Sequence, residues 1–192
     1  MDHTTPMREK IIALYDQHFL RRSALSIRGG AGVFEWALSG KGIRTVLEIG
    51  TYRGVSAAEI SQYVERVIAI DLKHGRVEDT DPGFDRVAFW EKLGVHNVEL
   101  ILVQDDAEKK AIVDGLEFDF AFVDGAHDYT IRNDFDLVKR CGRVLFHDAD
   151  DNRTRGFKPE APNGSTKPRR LPTSGSRPRR CGSWRISSAT AR

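Results

Sequence analysis

The chain has 192 residues, 40% hydrophobic and 30% charged, enough for one domain with its own core and cramped for two. Its net charge of +2 conceals a split: residues 1–150 carry 19 Lys/Arg against 26 Asp/Glu, whereas 151–192 carry 11 against 2, which excludes an argument for nucleic-acid binding by the protein as a whole. No apolar run approaches the roughly 18 residues of a membrane span, the polar stretch 1–10 has no signal-peptide core, and two distant cysteines, Cys141 and Cys181, form neither a disulfide framework nor a zinc pattern, so the expected setting is a reducing cytoplasm with no membrane partner.

In chain order, Met7, Ile11, Leu14, Tyr15, His18 and Phe19 recur at helical spacing and predict a helix over 7–22, closed by Arg21 and Arg22. Gly29, Gly30 and Gly32 break the chain, and a short helix follows over 33–39, ending at Gly40-Lys41-Gly42. From Arg44 the pattern changes. Strands are predicted over 45–49, 66–71, 98–103, 118–123 and 142–146, and helices over 54–64, 82–93, 106–114 and 129–140, with Pro82 near the start of the second and Gly94 just past its end. Trp36 and Trp90 fall on helical patterns and are expected to pack in the core or an interface.

Nearly all-apolar strands alternating strictly with helices predict an α/β fold with a Rossmann-like, doubly wound, mainly parallel sheet covered by helices on both faces. Ligands in such sheets bind beyond the carboxyl ends of the strands. Glu48-Ile49-Gly50, Asp71, Asp105-Asp106, Asp124 and His147-Asp148 each close a successive strand, so five polar clusters are expected along one edge.

The first cluster carries the most information. Glu48-Ile49-Gly50-Thr51-Tyr52-Arg53-Gly54 is Glu-x-Gly-x-x-x-Gly between a strand and a helix. Gly50 allows a tight turn and close backbone approach to a ligand, and Gly54 allows the helix to pack closely against the strand. The backbone N–H groups at the helix start face the ligand. The spacing is not GxGxxG, and an acid at Glu48 suits a ligand with a positive amino group better than a pyrophosphate. Asp71, at the end of the second strand, is placed to accept ribose hydroxyls. Tyr52 and Arg53 either shape the pocket or lie exposed.

The stretch Val46-Leu47-Glu48-Ile49-Gly50-Thr51-Tyr52-Arg53-Gly54-Val55-Ser56 resembles motif I of class I S-adenosylmethionine-dependent methyltransferases, and the resemblance runs from about Gly42 to Asp148. It implies S-adenosylmethionine as cofactor, with Glu48 and Gly50 at the methionine part, Asp71 at the ribose, and Thr51, Gly54, Leu72, Ala107 and Asp124 among the other cofactor-binding residues. Asp106 would lie beside the adenine. Asp105 replaces the glycine usual there, leaving open which of the two carboxylates faces the base.

Phe122-Val123-Asp124-Gly125-Ala126-His127-Asp128-Tyr129 and Val144-Leu145-Phe146-His147-Asp148 resemble the Asp-Gly-x-His-x-Tyr and His-Asp segments of small-molecule O-methyltransferases of the macrolide-sugar and catechol types. That resemblance implies a small-molecule methyl acceptor, metal candidates Asp124 and Asp148 with Mg2+ as the ion, and His127 or His147 as the base; Asp150 and Asp151 are weaker metal candidates. Asp124 is equally readable as a loop cap that reaches the cofactor's amino group, and His127 as a local turn contact. Related enzymes often pair, so a homodimer is an expectation of the same kind.

The expected organisation is an N-terminal helical segment over 1–42, on the lid or substrate side, a cofactor-binding domain over 43–150, and a basic tail over 151–192. The tail holds five of the seven prolines and no drawable strand, and reads as disordered. It fits either a basic segment that binds nucleic acid or an acidic surface, or a change of reading frame near 152–158, which the Arg/Pro/Ser/Gly-rich composition favours. In the second case the final strands are missing and the fifth strand is an exposed edge. The rival functions are a nicotinamide dehydrogenase, against which the missing third glycine and Glu48 count, and a non-catalytic cofactor-binding remnant or nucleic-acid-associated protein.

Overall fold

A computed structural model describes residues 6–14, 32–74, 83–125 and 131–147, and the backbone of 185–188. The elements in chain order are α1 (Met7–Leu14), α2 (Val33–Leu38), β1 (Thr45–Ile49), α3 (Val55–Ile60), β2 (Arg66–Leu72), α4 (Arg86–Leu93), β3 (Val98–Val103), α5 (Asp106–Asp114), β4 (Phe120–Val123), α6 (Ile131–Val138), β5 (Arg143–Phe146) and β6 (Arg185–Ser188). The sheet order is β3-β2-β1-β4-β5-β6, with β1 to β5 all parallel. The chain winds outward from β1 through β2 to β3, then returns to place β4 on the other side of β1. The topological switch point, where such sheets open a crevice, therefore lies between the ends of β1 and β4.

The apolar strands divide their side chains between two cores. Val46, Val67, Ala69, Phe120, Phe122 and Leu145 face one layer with Phe34, Leu38, Ile60, Phe89 and Trp90 of the helices. Leu47, Ile49, Ile68, Ile70, Ala121, Val123 and Phe146 face the other with Val113, Ile131 and Val138. Burial on both faces is the reason these strands carry no polar alternation. Phe34 meets Phe122 edge-on at 5.1 Å, which seats α2 on the sheet.

Helix starts follow side-chain caps. Asp85 accepts from the Ala88 N–H at 3.0 Å to start α4, so this helix begins later than its sequence pattern and Pro82 lies outside the described residues. Asp105 does the same for α5 through the Glu108 N–H at 2.9 Å. Helix α3 stops at Ile60, shorter than its pattern, and 61–63 turn toward β2. The predicted first helix is seen as Met7–Leu14, and its continuation, 15–22, is outside the described residues. Trp36 is no core residue: it lies on the surface under the Lys41 ammonium, 4.8 Å from the ring centroid.

The expectation of no strand after Asp151 is corrected. Backbone 185–188 pairs antiparallel with β5, Phe146 opposite Arg185 and Leu145 opposite Ile186, so β5 is not an edge. The segment Arg185-Ile186-Ser187-Ser188 has one apolar residue and therefore no alternation from which to draw a strand. Among the described residues no helix is long and apolar enough to cross a membrane.

Candidate active site

The loop after β1 is built around a buried acid. Glu48 is 0% exposed, and its two carboxylate oxygens accept from the Thr51 hydroxyl at 2.5 Å and from the Ser56 hydroxyl. Burial pushes its pKa up to about 8; the two hydroxyl hydrogen bonds pull it down, and the Asp124 and Asp71 charges push it up again. Glu48 thus lies beneath the loop and holds its fold through Thr51 and Ser56.

The glycines serve contacts that the sequence pattern does not name. Gly50 has φ +84°, and a Cβ there would lie 2.4 Å from the Gly125 Cα and 2.6 Å from the Asp124 carbonyl oxygen. The neighbour that comes close is thus the loop after β4, and Gly50 is what lets the two loops meet at the switch point. Gly54 has φ +76°, and a Cβ there would lie 2.6 Å from Trp90 Nε1. That indole N–H donates to the Gly54 carbonyl at 2.7 Å, so Gly54 makes room for a side chain of α4 more than for its own strand.

Asp71, at the end of β2, closes the loop from the side. Its Oδ2 accepts from the Tyr52 N–H at 2.9 Å and pairs with Arg86 Nη2 at 3.1 Å, while its Oδ1 accepts from the Leu72 N–H at 2.9 Å. Arg86 Nε also donates to the Tyr52 carbonyl. The Arg53 guanidinium, buried, lies 5.0 Å from the centroid of the half-buried Tyr52 ring.

Beyond β3, the two neighbouring carboxylates have different tasks. Asp105 is the N-cap of α5, and Asp106 and Ala107 follow it, exposed, in the first turn. Asp106 pairs with Lys109 at 2.8 Å, and the same ammonium meets Asp134 of α6 at 2.5 Å. Burial pulls the Lys109 pKa down, but Asp134 and Asp106 outweigh it and the net shift is upward. A Cβ on Gly125 would lie 2.9 Å from Asp134 Oδ2, so this buried pair sits under the same loop that meets Gly50.

At the ends of β4 and β5, His147 Nδ1 stands 2.9 Å from Asp124 Oδ1, with the imidazole buried and the carboxylate one-quarter exposed. Of the expected base and metal residues, these are the two the structure brings together; His127, Asp148, Asp150 and Asp151 lie outside the described residues. Among the described residues there is no group of three or more His, Cys, Asp or Glu that could hold a metal ion.

Arg86, Trp90, Lys109 and Asp134 were not singled out for the site by motif. A signal was present. Arg86 stands with Phe89, Trp90 and Leu93 on one face of α4, Lys109 with Val113 on α5, and Asp134 with Ile131 and Val138 on α6. A charge inside an apolar stripe must find a partner, and Arg86, Lys109 and Asp134 each do.

A family model described as a methyltransferase domain matches residues 47–149. Among solved structures, the O-methyltransferase TomG from Streptomyces achromogenes, involved in tomaymycin synthesis and solved with SAM, is similar at 18% identity and a TM-score of 0.68, covering 98% of this chain and 92% of that one. An O-methyltransferase from Bacillus cereus, solved with SAH, is similar at 16% identity and a TM-score of 0.58, covering 77% of this chain and 68% of that one. No curated protein matches by sequence.

Proposed function

The chain belongs to the methyltransferase domain family, and we propose that it transfers a methyl group from S-adenosylmethionine to a hydroxyl of a small molecule. The observation that carries this reading is the pair of carboxylates, Asp71 and Asp124, at the strand ends on either side of the buried Glu48. Glu48 beneath the loop feels the charges of both Asp71 and Asp124, so this edge concentrates negative potential where the ligand enters. Such a field favours a cationic sulfonium with an ammonium group and opposes the pyrophosphate of a dinucleotide. The two O-methyltransferases with the same fold were solved with SAM and SAH, which supports the same cofactor here.

In this reading Asp71 accepts from the ribose, Asp106 and Ala107 border the adenine, and Thr51 and Asp124 face the amino end. When bound, S-adenosylmethionine supplies a methyl group already activated on a sulfonium. The protein's part is alignment of that methyl with the acceptor oxygen and removal of the hydroxyl proton. His147 is the base: its Nδ1 stands 2.9 Å from Asp124 Oδ1, whose charge stabilises the imidazolium that forms when the acceptor's proton enters at Nε2. Of the expected Mg2+ ligands Asp124 pairs with His147, and Asp148 lies outside the described residues.

The test is a transfer assay with isotopically labelled S-adenosylmethionine against a panel of phenols, sugars and hydroxylated macrolides. Label appearing on an oxygen of one of these supports the reading. Label on nitrogen or carbon acceptors alone would replace it with another methyl transfer.

A further inference from the structure

Helix α4 lies outside the motifs by which such a site is recognised, yet one of its faces holds the glycine loop at two points. Trp90 donates to the Gly54 carbonyl, and one turn earlier Arg86 donates to the Tyr52 carbonyl. The guanidinium also reaches Asp71 Oδ2, the same oxygen that accepts the Tyr52 N–H. The Tyr52 residue is therefore gripped from both sides, its N–H by Asp71 and its carbonyl by Arg86.

Two features set this grip apart from ordinary packing. Tyr52 has φ +46° and is, among the described residues, the single non-glycine residue at positive φ, a conformation that persists only where surrounding contacts impose it. The Arg86 side chain is 4% exposed, and a guanidinium so buried is tolerated only with matched partners. Its charged partner is Asp71, which ends β2 and is 18% exposed.

We propose that Arg86 is a positioning residue for the cofactor's ribose: its fork locks the Asp71 carboxylate and the Tyr52 peptide into the orientation that accepts a ribose hydroxyl. This rests on the reading of Asp71 as the ribose acceptor. Arg86 touches no ligand itself and acts through Asp71. A lysine in its place keeps the charge but loses the fork that serves Tyr52 and Asp71 together.

The experiment is calorimetric binding of S-adenosylhomocysteine and of its 2′-deoxy and 3′-deoxy ribose analogues to the full chain, to Arg86→Met and to Arg86→Lys. The wild-type protein is expected to lose roughly tenfold or more in affinity with at least one deoxy analogue, the worth of a hydrogen bond to a charged acceptor. In Arg86→Met that preference should shrink to about twofold, and Arg86→Lys should fall between. A merely structural residue would weaken all three ligands by the same factor, and that result overturns the proposal. So does an unchanged preference in both variants, or loss of the folded state in both by circular dichroism. Failure of the premise looks different: a wild-type protein that binds none of the three sinks the cofactor reading, and one that binds all equally sinks the Asp71 contact.

Discussion

Replacing Glu48 by glutamine should make the protein more stable near and above neutral pH. In the folded chain its pKa is raised from 4.5 to about 8, chiefly by burial. The folded state then holds a proton that the unfolded state has released at all pH values between those two. Stability is consequently complete below about pH 4.5 and falls as pH rises toward 8. At about 1.4 kcal/mol per pH unit, a span of some three and a half units caps the loss near 5 kcal/mol. Glu59 of α3, raised to about 7 by burial and lowered by Arg8, adds a parallel loss that ends earlier. Glutamine keeps the shape and can still hydrogen-bond Thr51 and Ser56 without a charge to bury. Urea unfolding of both proteins, followed from about pH 5.5 to about pH 7.5, should show the parent losing about 2 to 3 kcal/mol more than Glu48→Gln. Parallel curves would refute the reasoning, because they would mean that the carboxylate is ionised inside the fold at little cost.

Gly50→Ala should destabilise the chain by about 2 to 4 kcal/mol, combining overpacking against Gly125 with a strained positive φ. Thermal melts should show the drop, along with loss of the shift on adding S-adenosylhomocysteine. Lys109→Met strands the buried Asp134 carboxylate and should cost about 3 to 5 kcal/mol, whereas Lys109→Met with Asp134→Leu should recover most of it; denaturant midpoints distinguish the two. His147→Ala should lower kcat by about 10²- to 10⁴-fold with the affinity for S-adenosylmethionine unchanged, which steady-state kinetics beside calorimetry will show.

The sheet was legible because its physics is local and repeated. Thr45–Ile49 and Val98–Val103 begin and end where their apolar runs do. Helix boundaries were less so: α3 and α4 are trimmed by a turn and by the Asp85 cap, features that periodicity does not register. In the site, Glu48, Asp71 and Asp124 were readable as strand ends, since topology alone brings strand ends to one edge. What Gly50 and Gly54 accommodate was not, because Gly125 and Trp90 are remote in sequence. The Lys109–Asp134 pair needed the relative placement of α5 and α6, which no single-helix pattern contains. Strand β6 was unreadable for a third reason: it borrows its order from the edge of β5 and carries almost no pattern of its own.

The central claim is that the carboxylates at the switch point select a cationic adenosyl ligand. Calorimetric titration of the full chain with S-adenosylmethionine and, separately, with NAD tests it most directly. Saturable one-site binding of S-adenosylmethionine, abolished in Asp71→Ala, and no binding of NAD are expected. Saturable binding of NAD with none of S-adenosylmethionine would contradict it.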